Sequence, residues 1–92
     1  MTEQVYNYKV KVHVQNGLGV LARMTILLRK FNVNVQSIYV DPLDESKEFY
    51  NIHFVLDSTK NEIAMGVVMK KLERLIPILK VHFTKTHDTN GL

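Results

Sequence analysis

Asn16-Gly17-Leu18-Gly19-Val20-Leu21 carries an alternating strand through two glycines directly into a helix, and that junction is where this sequence can hold a small anion. Lys9 to Gln15 alternate polar and apolar without a break, as a half-buried strand requires. After Gly19 the period changes: Val20, Leu21, Met24, Leu27, Leu28 and Phe31 fall on one helical face, with Arg23, Arg29 and Lys30 outside it. Gly17 and Gly19 permit left-handed backbone and close approach of a ligand. The first amides of a helix lack internal partners and attract carboxylates or phosphates. The same residues also make an ordinary tight turn wherever a helix follows a strand. The spacing is neither G-x-G-x-x-G nor a glycine loop followed by Lys-Ser/Thr. It leaves open which small anion, carboxylate or phosphate, the junction would hold.

Other chemistry finds weaker support. His13, His53 and His82 share one face of adjacent expected strands, but no Asp or Glu joins them, so they read as solvated or partner-facing and no metal is expected. Lys47 to Phe54 is similar to the aromatic third strand of an RNA-binding sheet. Its glycine is missing, however, and alternation turns Tyr50 and Phe54 toward the core. Ser37, His53 and Asp57 have no spacing that makes a triad. The absence of cysteine removes disulfides, thiolate zinc sites and a Cys nucleophile, and suits a reducing, cytoplasmic setting. A formal charge of +3 does not argue for nucleic acid, and no segment approaches the length of a membrane span. Neither an enzyme nor a cofactor is expected, and the start of the chain, with Glu3, is unlike a signal peptide.

The 92 residues suffice for one domain, residues 1–92, with an ordered core over about 6–85 and a polar tail. Strands are expected over Tyr8 to Gln15, Val33 to Asp41, Phe49 to Asp57 and Leu79 to Thr84. One helix runs from Val20 to Phe31, ending in Arg29-Lys30 with Asn32 as a left-handed cap. A second opens at the capping box Thr59-Lys60-Asn61-Glu62, buries Met65, Val68, Leu72 and Leu75, and closes at Pro77. The order βαββαβ predicts a ferredoxin-like α+β sandwich, an antiparallel sheet of order 4-1-3-2 with two helices on one face. Val10, Val12, Val14, Val35, Tyr50, Ile52, Phe54, Leu56, Val81 and Phe83 should face the helices. Lys9, Lys11, His13, Asn34, Gln36, Asn51, His53, Lys80 and His82 should face solvent. Ile38 and Val40 should interrupt that polar face, and with Ile26 on the flank of the first helix they predict a homodimer through an exposed edge strand.

Asn16-x-x-Gly19-Val20-Leu21-x-Arg23, then Phe31-Asn32-Val33-Asn34-Val35-Gln36-Ser37 and Asp41-Pro42, closely resembles the ACT domain of acetohydroxyacid synthase (acetolactate synthase) regulatory small subunits. Lys70-Lys71-Leu72-Glu73-Arg74-Leu75 through Val81 matches a further segment of that family, and the resemblance covers almost the whole chain. Asn32 stands where the family pattern has glycine. The resemblance implies a non-catalytic subunit that binds a branched-chain amino acid, most often valine, between two paired domains and mediates feedback inhibition of the catalytic large subunit. It implies that Asn16 and Gly19 hold the effector and that Asn34 is contributed across the interface, within an effector-binding set of Asn16, Gly17, Leu18, Gly19, Val20, Leu21, Asn34 and Ile38. The chemistry agrees, with a carboxylate on the amides after Gly17, Asn16 and Asn34 as acceptors for the ammonium, and Val20 or Ile38 against the apolar side chain. A free-standing ACT sensor acting on a different enzyme or a transcription factor is the alternative.

Overall fold

Strict alternation over β1 (Tyr6–Gln15) buries Tyr8, Val10, Val12 and Val14 on one side and leaves Lys9, Lys11 and Gln15 exposed on the other. The remaining elements are α1 (Gly17–Lys30), β2 (Asn34–Pro42), β3 (Phe49–Ser58), α2 (Glu62–Leu75) and β4 (Lys80–Lys85). The structure, a computed structural model, describes residues 4–15, 17–43, 45, 48–78 and 80–86, and only the backbone of residues 17 and 18. All strand pairs are antiparallel in the order β2-β3-β1-β4, which is the expected order read from the other edge. β1 and β3 form the central ladder, with Val10 opposite Phe54 and Val12 opposite Ile52. Val20, Met24 and Leu28 from α1 and Met65, Val68, Met69 and Leu72 from α2 complete the buried core. Among the described residues no helix is long and apolar enough to cross a membrane.

α1 ends as its sequence requires. Asn32 has φ 62 and is the one non-glycine residue with positive φ among those described. Its N–H donates to the Arg29 carbonyl at 3.0 Å, and the Val33 N–H donates to the Leu28 carbonyl at 2.9 Å. These two bonds form a Schellman closure with Leu28 and Val33 both buried beneath it. α1 begins earlier than the hydrophobic period indicates. Gly17 and Gly19 are both helical, and no glycine among the described residues has a positive φ, so left-handed freedom is not what glycine supplies here.

α2 is capped by Asn61 rather than Thr59. The Asn61 Oδ1 accepts from the Ala64 N–H at 2.9 Å while its own backbone is extended. Leu75 is 48% exposed, and Ile76 takes its expected place in the core at 2%, because the chain leaves the helix there and turns extended.

The largest departure lies in β2. Val35 stands opposite Leu56 and Ser37 opposite Val55, so Gln36 is one residue too many and forms a β-bulge. Beyond it the alternation inverts: Ile38 faces Phe54 and Val40 faces Ile52 on the helical side, while Tyr39 joins His53 on the open side. Ile38 and Val40 therefore do not interrupt the polar face. Val35, Tyr50, Val81 and Phe83 pack against the core without full burial. Tyr8, outside the sequence-derived core set, is fully buried and donates its hydroxyl to the Lys60 carbonyl at 2.6 Å. Burial, followed by the nearby Glu62 carboxylate and Tyr6, pushes the Tyr8 phenol above its ordinary value.

Candidate functional site

The strand-to-helix junction places the N-terminal end of α1 at the end of the sheet where Gln15 pairs with Phe49 and Pro42 pairs with Tyr50. First-turn amides have no intrahelical acceptor, and the turn carries no acidic side chain of its own, so the positive end of the helix dipole lies at this end of the sheet. A Cβ placed on Gly19 would meet nothing within 4 Å. The space beside Gly19 is open, so neither crowding nor backbone angle calls for glycine there. Asn16 lies outside the described residues, as do the side chains at 17 and 18. Val20 is a core residue at 4% exposure and offers no surface for a ligand side chain, whereas Leu21 is half-buried beside it.

Arg23, which the sequence marked only as part of a motif, has a structural task. Its Nη2 donates to the Leu75 carbonyl at 2.7 Å, satisfying one of the orphan acceptors at the negative end of α2. A basic residue spaced to lie one turn into α1 carried that signal, but its partner could not be read without the packing of the two helices.

Asn34 is exposed and pairs with Asp57, at the end of the sheet opposite to the α1 N-terminus. β2 spans roughly 25 Å at the usual rise per residue, so Asn34 and Gly19 of one chain cannot touch the same small molecule. Asn34 instead lines a cavity of about 670 Å³ with Thr25, Ile26, Arg29, Asn32, Val33 and Val35, between α1 and the edge of β2. Ile26 is 67% exposed beside it, and Ile38, 39% exposed, sits midway along the same edge. The candidate residues thus fall into two groups, one at each end of β2, with Ile38 and Tyr39 exposed along the strand between them.

The three histidines do not converge. Lys11 pairs with His53 on one side and His82 on the other, so β1 separates those two imidazoles by two strand spacings, about 10 Å. Among the described residues no three or more of His, Cys, Asp and Glu come together in a group that could hold a metal ion.

No protein-family model matches the sequence, and no curated protein sequence matches it either. Solved structures do. The chain is similar to the C-terminal domain of the MgtC protein from Mycobacterium tuberculosis, with a TM-score of 0.72 at 14% identity over 100% of this chain and 99% of that one. It is also similar to the ACT domain from the GTP pyrophosphokinase of Chlorobium tepidum, with a TM-score of 0.69 at 16% identity over 88% of this chain and 100% of that one. The fold is that of an ACT domain. The chain is similar as well to part of a homoserine dehydrogenase from Thiobacillus denitrificans, with a TM-score of 0.70 at 17% identity over 94% of this chain and 18% of that one.

Proposed function

We propose that this ACT domain is a regulatory subunit of acetohydroxyacid synthase that binds a branched-chain amino acid, valine foremost, between two copies and transmits feedback inhibition to the catalytic subunit. The observation that carries the reading is the separation of the two site groups along β2. A two-fold axis through Ile38, with the β2 edges paired antiparallel, sets Asn34 of one copy opposite Pro42 of the other. Pro42 marks the end of the sheet where α1 begins. The cavity beside Asn34 would then face the first turn of α1 in the second copy, and the effector carboxylate would meet amides near Gly19 while Asn34 meets its ammonium. The edges support this choice. β4 carries Lys80 and Lys85 and is protected by charge, whereas Asn34–Pro42 contains no lysine or arginine.

The specific enzyme rests on the resemblance of Asn16-x-x-Gly19-Val20-Leu21-x-Arg23 and the Asn34 segment to small subunits. The variety of proteins that share the fold, a GTP pyrophosphokinase and a homoserine dehydrogenase among them, supports a second reading: a free-standing sensor for another amino acid, acting on a different enzyme or a transcription factor. Recovery of the acetohydroxyacid synthase large subunit from source cells with this chain as bait separates the two. In the reconstituted complex, Asn34→Ala should weaken inhibition by valine by about tenfold, the loss of one buried hydrogen bond to a charged group, while preserving association. An unchanged inhibition curve with intact complex would falsify the placement of the effector.

A further inference from the structure

The basic half of the open sheet face takes no part in the effector site. Across the β1·β4 ladder Lys11 stands directly opposite His82, and His13 directly opposite Lys80. With Asn51 these four residues line a cavity of about 430 Å³. Directly opposed residues have Cβ atoms about 5 Å apart, and this ladder sets a lysine against a histidine twice, so two ammonium groups and two imidazoles crowd one patch. None of the five lining residues is acidic. Asp41 shares the face but lies on β2, on the far side of Asn51. Asp57 accepts from Gln36 at 2.8 Å near the other end of the sheet, and Glu48 accepts from Gln15. Lys9, exposed two residues before Lys11, continues the basic strip, whereas the Lys85 ammonium rests 4.7 Å over the Tyr6 ring.

One side chain of the cluster is held in place before any ligand arrives. The His13 Nδ1 lies 3.2 Å from the Asn51 Oδ1, and its ring stacks on Phe49 with centroids 6.1 Å apart and planes 8° from parallel. Lys11 and Lys80 sit on a cross-strand diagonal, a Cβ separation of roughly 7 Å that suits two neighbouring phosphoryl groups.

We propose that this face binds a small ligand bearing a diphosphate group. Lys11 and Lys80 each meet one phosphoryl group, and His13 and His82 donate to non-bridging oxygens. A single-stranded nucleic acid would need aromatic platforms on which to stack. Phe54 is buried and Tyr50 packs on the helical side; of the rings on the open face, Phe49 is already stacked by His13 and Tyr39 lies at the β2 edge against His53, 5.6 Å between ring centroids, and neither lines the cavity. The site shares no residue with the Asn34 and Gly19 groups, so either can fail without the other.

The test is a nuclear magnetic resonance titration of the full chain at low ionic strength with inorganic pyrophosphate and, separately, a nucleoside diphosphate. Saturable shifts centred on Lys11, His13, Asn51, Lys80 and His82 are expected with both if the phosphates alone are recognised. Markedly tighter binding of the nucleoside form at the same residues supports the site and identifies an organic source. Lys11→Gln combined with Lys80→Gln should weaken pyrophosphate by at least about tenfold, because two charge-assisted contacts are lost. Lys30→Gln, at the end of α1, should leave the affinity within about twofold, as a distant exposed charge does. No saturable shifts, an equal loss with Lys30→Gln, or binding of a single-stranded oligonucleotide where pyrophosphate fails would each overturn the proposal.

Discussion

Gly19 sits under two opposed demands. As a helical glycine with open space around its missing Cβ, it costs stability that an alanine would restore, about 0.5 to 1 kcal/mol. If its amide receives a carboxylate, the added methyl obstructs the approach. Gly19→Ala should therefore raise the urea midpoint while lowering valine affinity by calorimetry at least about tenfold, as a displaced charge-assisted hydrogen bond implies. Loss of stability, or unchanged binding, would contradict this assignment. Tyr8 supplies a second residue-level expectation. Its folded-state phenol titrates above the ordinary value, chiefly from burial, so the unfolded chain ionises first as pH rises. The stabilisation is whole below about pH 10, the unfolded value, and is lost progressively above it up to the raised folded value. Tyr8→Phe should lower stability near neutrality by about 1 kcal/mol, through loss of the bond to the Lys60 carbonyl, and flatten the alkaline decline measured by denaturation across that range.

Elements were legible where a single period or cap governs them. β1 and β3 alternate without interruption, and Asn32 stood where a helix with a basic last turn needs a left-handed residue. The bulge at Gln36 was not legible, because Asn34 to Val40 contains apolar residues compatible with either phase, and only pairing with β3 decides which face they take. The α2 cap was misplaced for a similar reason, since Thr59 and Asn61 are both competent acceptors and only the backbone path chooses between them. Of the site, the junction and Asn34 were readable as residue types, but their separation along β2 follows from topology alone. The bulge makes a sharp prediction for deletions. Removing Gln36 leaves a regular ladder with Ile38 and Val40 still facing the helices, and should shift stability by no more than about 1 kcal/mol. Removing Tyr39 instead turns Val40 outward and Asp41 inward, and should cost roughly 3 kcal/mol or more in urea unfolding. Equal effects of the two deletions would refute the register.

At the scale of the whole molecule, the two edges of the sheet are unlike. β2 has nine residues, no lysine or arginine, and Ile38 and Tyr39 exposed along it, whereas β4 has six residues with a lysine at each end. The chain should sediment at twice its monomer mass at micromolar concentration, and Ile38→Lys should return it to the monomer. Its fold should survive the change because Ile38 is already 39% exposed. A dimer that persists in Ile38→Lys would move the interface elsewhere. Two equal adhesive edges on one sheet would let each added copy expose a fresh template and grow into a filament. In the proposed dimer the β2 edge would be consumed when two copies meet about a two-fold axis, and each dimer would then show the lysine-tipped β4 on its flanks. Raising the concentration should fill that closed pair and then stop, so the asymmetry of the edges acts as a chain terminator for assembly.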